Sequence, residues 1–240
     1  MKSTDLPSPS LKGLFKPFSH IFFILHLIWD FVESDFVTFA VPNTAFGVIG
    51  AMASSVLVGE APFPAQPTLQ ILQRLPNVVA FNVANLLVFD LANQRSPDSG
   101  KITMDQTRRC MLIVIPATLA LNYALGPWRQ GLFIMVLTWL YNDLRGGDEV
   151  FLRELIIAVA YGMFNSGSLI VAVGPGNSLS PLGLVWTVVV SGIILTTMQI
   201  QDLKDQDGDR TRGRKTIAVY LGEWVSRTSI AFFICFWSCS

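Results

Sequence analysis

The fold is decided by residues 181–216, which read PLGLVWTVVVSGIILTTMQIQDLKDQDGDRTRGRKT. The first part, residues 181–201, is almost entirely apolar, and it has the length of about 20 residues that a helix needs to cross a bilayer. The second part is dense in charge and contains Asp202, Asp205, Asp207, Asp209, Lys204, Arg210, Arg212, Arg214 and Lys215. The stretch therefore predicts a membrane-spanning helix whose end carries a cluster of acidic and basic side chains at the membrane surface.

Three of these aspartates fall on one face if the helix continues through them. Positions 202, 205 and 209 are spaced i, i+3 and i+7, which is a single helical stripe. Three carboxylates on one stripe repel one another unless a cation holds them, and Mg²⁺ takes oxygen ligands and often shares them with a substrate phosphate. The neighbouring basic side chains would then bind the remaining phosphate oxygens. The spacing also fits a second interpretation, a solvated loop between two membrane helices.

The composition is that of an integral membrane protein. Hydrophobic residues make up 51% of the chain, charged residues 14%, and the mean hydropathy is +0.49. A soluble domain of this size contains about 25% charged residues. The net charge of zero gives no support for a nucleic acid partner, because a nucleic-acid-binding domain presents a basic face. No protein partner is inferred, and the expected surroundings are the lipid bilayer.

Apolar segments long enough to cross a bilayer are 36–58, 76–94, 108–126, 128–144, 152–173, 181–201 and 217–240. A shorter run, 18–32, carries ionisable residues, so we predict an interfacial helix there, after a polar N-terminal segment of residues 1–17 and at the start of one transmembrane domain, 18–240. If 18–32 does not cross the membrane, nearly all basic residues outside the last helix lie on the same side as the N-terminus. Only Arg74 and Arg129 then lie on the opposite side. The positive-inside rule then places the N-terminus and the acidic segments in the cytosol.

A second polar stripe lies in segment 76–94. Asn82, Asn85, Asp90 and Asn93 share a helix face about 140° wide, and Gln94 flanks it. Such residues are costly in a membrane helix unless they face a polar cavity or form hydrogen bonds to another helix. Hydrogen bonding between helices explains one amide readily and all four residues less easily, so we predict a functional role for Asp90. Both acidic helix ends reach the same face, where a two-sided metal site would need them.

The residues around Asp90 and Asp202 resemble the UbiA superfamily of intramembrane prenyltransferases, and more closely its fungal branch of membrane-bound sesquiterpene cyclases. The matching stretches are 89–95 (FDLANQR), 141–149 (YNDLRGGDE) and 201–215 (QDLKDQDGDRTRGRK). The resemblance covers the chain from about residue 20 to its end. It implies an all-α bundle of nine transmembrane helices around a central cavity, in which two acidic motifs bind Mg²⁺ and an allylic diphosphate.

The resemblance also implies roles for individual residues. It makes Asp90 and Asp202 the catalytic carboxylates. The implied ligands of Mg²⁺ are Asp90, Asp202, Asp205 and Asp209. The implied contacts of the substrate diphosphate are Asn85, Gln94, Lys204, Arg210 and Lys215. The substrate implied is a prenyl diphosphate.

The chain departs from the family pattern in three places. The Asn-Asp step that usually begins the first motif reads Leu86-Leu87, and the usual basic, Pro-containing stretch after that motif is absent between 95 and 109. The chain stops at Ser240, inside the seventh predicted spanning segment. About seven of the nine implied helices are therefore expected, and we expect the domain to be incomplete at its C-terminus.

Three functions are compatible with these residues. The depleted first motif favours a Mg²⁺-dependent membrane terpene cyclase, which would act on farnesyl diphosphate in secondary metabolism at the endoplasmic reticulum. The second is a prenyltransferase on the same fold, which would move the prenyl group to an aromatic acceptor. The third is an inactive, truncated paralogue, favoured by the segments that the chain lacks.

Overall fold

A computed structural model describes residues 16–59, 66–93, 103–204, 206–211, 213 and 215–239, without the side chains of residues 16–24 and 209. The helices are α1 (Lys16–Asp35), α2 (Val41–Met52), α3 (Ser54–Leu57), α4 (Thr68–Asn93), α5 (Met104–Leu125), α6 (Trp128–Asn142), α7 (Val150–Val173), α8 (Pro181–Thr197), α9 (Gln206–Thr211), α10 (Ile217–Tyr220) and α11 (Glu223–Cys239). Within these residues, pairing of extended chain is limited to one isolated bridge between Val58 and Leu179. The predicted all-α class is confirmed.

Five helical segments are long and apolar enough to cross a membrane: Leu25–Met52, Thr68–Asn93, Met104–Leu125, Val150–Val173 and Pro181–Ile200. The prediction of a polytopic membrane bundle is therefore confirmed. Helices α6 and α11 contain 15 and 17 residues. Both are shorter than the about 20 residues of a typical spanning helix, so two of the seven predicted spanning segments form short helices.

The N-terminal helices form one continuous element. Helix α1 runs into α2 through a single π-helical segment, Phe36–Ala40. The predicted segments 18–32 and 36–58 are therefore parts of the same helix, which ends at Met52. Extra-wide π turns occur mostly as short interruptions of α-helices, often beside functional sites. The interfacial location of 18–32 stays a prediction.

Two other boundaries, one at a proline and one at a glycine, differ from the prediction. The predicted segment 76–94 begins at Pro76, but helix α4 begins at Thr68 and continues through this proline. Proline is tolerated inside membrane helices because neighbouring helices and local adjustments satisfy the backbone groups that it leaves free. The predicted segment 217–240 is broken at Gly222, whose φ of 92° lies in the left-handed region that glycine adopts without strain. The break separates the single turn of α10 from α11.

Helix α7 is the centre of the bundle. It packs against α2, α4, α6 and α8. In its most apolar 18-residue stretch 72% of the residues are buried, compared with 17% in the corresponding stretches of α5 and α8. A Cβ atom added to Gly47 of α2 would lie 2.6 Å from the backbone of Ser168 in α7. Small residues of this kind let membrane helices approach closely.

Polar contacts fasten both ends of the bundle. At one end, Arg74 donates to the carbonyl oxygens of Ala172 and Val173. These carbonyls lie in the last turn of α7, where no intrahelical N–H is available to them. This contact explains a basic residue on the side that is otherwise poor in charge. At the other end, Ser226 Oγ of α11 donates to Gln199 Oε1 at 2.8 Å, and Gln199 Nε2 donates to Ser229 Oγ at 3.1 Å.

Candidate functional site

A cavity of about 530 Å³ lies between α4, α6, α7, α8 and the π-helical segment. Its most polar lining residues are Asp35 where α1 meets the π-helical segment, Asn93 at the end of α4, Arg153 in the first turn of α7 and Gln201 shortly after α8. Phe164, which also lines it, is 11 residues further along α7 than Arg153, a distance of about 16 Å at 1.5 Å per residue. The cavity therefore has a polar end and a long apolar body.

Five aromatic side chains line this cavity: Phe39, Phe89, Tyr141, Tyr161 and Phe164. The Phe39 ring lies 4.2 Å from that of Tyr161 and 4.7 Å from that of Phe164, measured between ring centroids. The rings of Phe89 and Tyr141 are 5.3 Å apart. Because aromatic faces attract cations, the apolar body of the cavity is suited to a positively charged hydrocarbon.

A buried ion cluster lies at the polar end. Arg153 Nη1 donates to Glu154 Oε1 and to Asp202 Oδ2, each at 2.8 Å. Relative exposure is 8% for Arg153, 2% for Glu154 and 4% for Asp202. With all three groups ionised, one positive charge faces two negative charges in a site that water barely reaches. Removing one partner of a buried ion pair is strongly destabilising, because it leaves an uncompensated charge in the interior.

A second acidic pair comes from α1 and α4. Asp90 is 4% exposed, and its carboxyl group shares a hydrogen bond with the carboxyl group of Asp35, which lines the cavity. The same pair of oxygen-rich groups would also suit a hard cation.

The predicted catalytic aspartates both lie just behind the cavity wall. Asp90 is next to Asp35 and Asp202 is next to Arg153, while neither aspartate lines the cavity itself. The predicted diphosphate contacts Lys204, Arg210 and Lys215 are exposed and are not among the lining residues. Gln94, Asp205 and the side chain of Asp209 lie outside the described part of the chain.

Asn85 is placed away from the cavity. Its Nδ2 donates to Asn122 Oδ1, and Asn122 Nδ2 donates to Asn85 Oδ1, both at 3.0 Å, so its amide is committed to the α4–α5 interface. Asn82 Nδ2 similarly donates to Ser168 Oγ at 2.9 Å. Hydrogen bonding between helices therefore accounts for two amides of the stripe, more than the sequence led us to expect. Only Asn93 of the three asparagines lines the cavity, and this geometry does not favour the predicted diphosphate role of Asn85.

The turn between α6 and α7 holds Tyr141 in the cavity wall. A Cβ atom added to Gly147 would lie 2.6 Å from Tyr141 Cε1, so the ring rests directly on this glycine. Arg145 has a φ of 59°, which a non-glycine residue adopts at a cost. Its Nε donates to Asp148 Oδ2 at 2.7 Å and closes the turn.

The sequence analysis missed Asp35, Arg153 and Glu154 as site residues. An ionisable residue inside an apolar helix is itself a signal of function, and all three lie in segments that qualify as membrane spans. Asp35 lies between the predicted segments 18–32 and 36–58, and Arg153 is the second residue of the predicted segment 152–173.

The donor chemistry fits Mg²⁺. The acidic groups at the polar end offer hard oxygen atoms, which Mg²⁺ prefers. Among the side chains that the structure describes, no three Asp, Glu, His or Cys residues come close enough to hold an ion by themselves. Mg²⁺ is commonly bound by one or two carboxylates together with substrate phosphates, and either carboxylate pair could supply that share.

Comparison with known proteins gives a consistent picture. Residues 87–240 match the UbiA prenyltransferase family. The chain is 37% identical over 99 residues to the fumagillin beta-trans-bergamotene synthase of Aspergillus fumigatus, a match that covers 41% of this chain and 34% of that protein. It is 24% identical over 215 residues to a diterpene cyclase of Hericium erinaceus, covering 87% of this chain and 68% of the cyclase.

An archaeal protein is also similar. The chain is 26% identical over 137 residues to the digeranylgeranylglyceryl phosphate synthase of Sulfolobus acidocaldarius, covering 54% of this chain and 46% of the synthase. The matches to the bergamotene synthase and to this synthase thus span less than half of the length of each relative. No solved structure matches the chain.

Proposed function

Because the chain belongs to the UbiA prenyltransferase family, we propose that it is a Mg²⁺-dependent membrane terpene cyclase. The proposed substrate is an allylic prenyl diphosphate, with farnesyl diphosphate the first choice. The observation that carries the proposal is the cavity of about 530 Å³, which combines a charged end with an aromatic, apolar body. A prenyl diphosphate has the same division, with a charged head and a long hydrocarbon tail.

Ionisation is the first step proposed. The bond between C1 and the diphosphate oxygen breaks, its electron pair leaves with the diphosphate, and an allylic cation remains. Bound Mg²⁺ would supply Lewis acidity toward the leaving diphosphate. An ion would be held at the carboxylate pair that contains Asp202 or at the one that contains Asp90, and Arg153 fixes the orientation of Asp202 through its 2.8 Å hydrogen bond.

Cyclisation then takes place in the apolar body. A distal double bond of the same chain attacks the cation, a ring closes, and loss of a proton ends the reaction. The five aromatic residues of the wall stabilise positive charge by about 0.5–2 kcal/mol for each favourable face. The apolar lining keeps water away from the cation, which water would otherwise convert to an alcohol.

Two fungal relatives support cyclisation as the outcome. They carry the names bergamotene synthase and diterpene cyclase, and both names describe the making of terpenes. The family itself and the archaeal synthase support the second candidate, transfer of the prenyl group to an acceptor. We place the protein in the endoplasmic reticulum membrane, with the charged end of the cavity facing the cytosol.

The test uses membranes that contain the full chain, incubated with Mg²⁺ and farnesyl diphosphate in the absence of an acceptor. Gas chromatography and mass spectrometry of the hydrocarbon extract should show a cyclic terpene. Asp202→Asn keeps an oxygen that accepts from Arg153 but removes the charge, so product should fall by about 100-fold or more. The control, Arg129→Gln, changes an exposed residue distant in sequence from the site and should leave the yield unchanged.

Other outcomes would favour the alternatives. Product that appears only after a phenolic acceptor is added would make the chain a prenyltransferase. If no prenyl diphosphate from C10 to C20 releases diphosphate, with or without an acceptor, the inactive paralogue is the better description.

A further inference from the structure

Arg153 has an unusual position among the basic residues of the chain. Among the described residues, it is the one basic side chain that lines the cavity, and it is 8% exposed. The basic residues predicted from the sequence to bind diphosphate are at the surface instead. Arg210 lies 3.9 Å from Asp207 and Lys215 lies 3.7 Å from Glu149, in exposed ion pairs.

The guanidinium of Arg153 has hydrogen-bonding capacity to spare. Its Nη1 serves both Glu154 and Asp202, while its buried Nε has no hydrogen-bond partner in the described part of the chain. A guanidinium is planar and has five N–H donors in a fixed arrangement. Leaving a buried donor without an acceptor is unfavourable, so an acceptor that reaches Nε would be bound with a gain.

We propose that Arg153 is the residue that binds the substrate diphosphate, with Glu154 and Asp202 fixing the plane of its guanidinium. The inference rests on the proposed function and names the residue that contacts the head of the substrate. Guanidinium groups suit this task because they bind phosphate oxygens with two parallel hydrogen bonds. Arg153 thereby supplies a cation for the diphosphate in a chain that departs from the usual basic, Pro-containing stretch between 95 and 109.

The charges of the cluster determine how the anion arrives. The carboxylates of Glu154 and Asp202, when ionised, would repel a free diphosphate. The diphosphate should therefore bind as its complex with a divalent cation, with the cation toward the carboxylates and the phosphate oxygens toward Arg153. Binding of pyrophosphate should accordingly be much weaker when Mg²⁺ is removed.

The test measures binding without turnover. The purified full chain in detergent is titrated with inorganic pyrophosphate at constant Mg²⁺, and the thermal unfolding midpoint is followed. Arg153→Gln should raise the half-saturating pyrophosphate concentration by about tenfold or more, the usual effect of losing a hydrogen bond to a charged group. Arg153→Lys should recover part of the loss, and the matched control Arg129→Gln should bind like the wild type.

Two variants keep the test decisive if Arg153→Gln folds poorly. Arg153→Gln combined with Glu154→Gln removes one charge of each sign and should still bind weakly. Glu154→Gln alone keeps an oxygen for Arg153 Nη1 and removes a competing negative charge. In the absence of Mg²⁺ it should therefore bind pyrophosphate several-fold more tightly than the wild type, as expected from charge interactions at short range.

The inference and the proposed function fail in different ways. If the wild type does not bind pyrophosphate, or if Arg210→Gln or Lys215→Gln weakens binding and Arg153→Gln does not, Arg153 is not the diphosphate ligand. A chain that binds pyrophosphate through Arg153 but yields no terpene would keep the inference and refute the cyclase. If Arg153→Gln forms terpene with an unchanged KM, the cyclase proposal stands and the role of Arg153 in diphosphate binding is refuted.

Discussion

Asp90 and Asp202 each have a neighbour that lines the cavity, although neither aspartate lines it itself. Asp35 lies next to Asp90, and Arg153 lies next to Asp202. A substrate that enters the cavity therefore meets Asp35 and Arg153 before it meets either aspartate that the sequence singles out. Substitutions at Asp35 and Arg153 should therefore change activity, although both residues lie outside the motifs that the sequence analysis singled out.

Asp35→Asn tests the first of these residues. The amide can still form a hydrogen bond with Asp90, so the fold should persist, but one carboxylate beside the proposed ion is lost. Changes to groups that orient metal ligands typically cost about 10- to 100-fold, and we expect a loss of that size in terpene formation, measured over a series of Mg²⁺ concentrations.

The matched control is Asp30→Asn, one helical turn and a residue earlier in α1. Its side chain is 44% exposed, and it lies 3.9 Å from His26. Activity should stay at the wild-type level. Equal losses in both variants would show that Asp35 acts only through the stability of α1.

The sequence identifies Asp202 and Asp90 because each stands at or near the end of an apolar run, where a charge is conspicuous. It does not identify their partners. Arg153 is 49 residues from Asp202 in the chain, and Asp35 belongs to a helix that the sequence divided into two segments. Both pairs form through tertiary packing, and the local spacing of residues in the sequence does not predict such contacts.

Contact between helices in this bundle depends on small residues facing polar ones. Gly131 of α6 lies against Asn122 of α5, whose amide is paired with Asn85 of α4. Three helices are thus fixed by one pair of amides and the space that one glycine leaves for it. The helices themselves were predictable from hydropathy, whereas this arrangement was not.

Gly131→Ala should weaken that three-helix contact. The added Cβ would lie 2.1 Å from Asn122 Nδ2 and 2.6 Å from Asn122 Cγ, so either the amide pair breaks or α6 moves away. We expect a loss of about 1–3 kcal/mol in the free energy of unfolding, seen as a lower thermal midpoint in detergent.

Gly192→Ala in α8 is the control for helix propensity. Its added Cβ would meet the Trp237 ring at 3.3 Å, a distance that a small ring shift can accommodate. Alanine favours a helix by up to about 1 kcal/mol over glycine, so stability should stay unchanged or rise. A midpoint lowered equally by both substitutions would contradict the role given to the amide pair.

Gly147→Ala should alter the shape of the cavity and leave the bundle largely intact. The new Cβ would lie 2.6 Å from Tyr141 Cε1 and 2.7 Å from Tyr141 Cζ, and the ring can relieve this only by turning into the cavity. We expect less product or a changed ratio of products in the hydrocarbon extract. An unchanged product profile would mean that the Tyr141 ring finds room elsewhere.

The polar helix ends that line the cavity lie on one side of the bundle. The last residues of α4, α6 and α8 and the first turn of α7 contribute to the polar end of a single cavity. The turn that joins Gly174 to Ser180, which precedes α8, lies at the other end of α7. Hydropathy and the distribution of basic residues predict this two-sided arrangement, and its orientation in the membrane is open to a direct measurement.

Cysteine labelling in sealed microsomes measures the orientation. In a chain whose native cysteines are replaced by alanine (Cys110, Cys235 and Cys239), Asp207→Cys should react with a membrane-impermeant maleimide in intact vesicles. Ser178→Cys should react only after the membrane is permeabilised. The positive-inside rule is the reason for this expectation, and the opposite labelling pattern would place the charged end of the cavity in the lumen.

The contact between Gln199 and α11 can form only after α11 has been synthesised. Met198–Ile200 connects α8 to Asp202, and the buried side chain of Gln199 pairs there with Ser226 and Ser229, which are synthesised 27 and 30 residues later. While the ribosome is still making those residues, the segment that carries Asp202 has no anchor on this side. In a chain made from its N-terminus, α8 is therefore complete before Gln199 can form these two hydrogen bonds, and the synthesis of α11 supplies them.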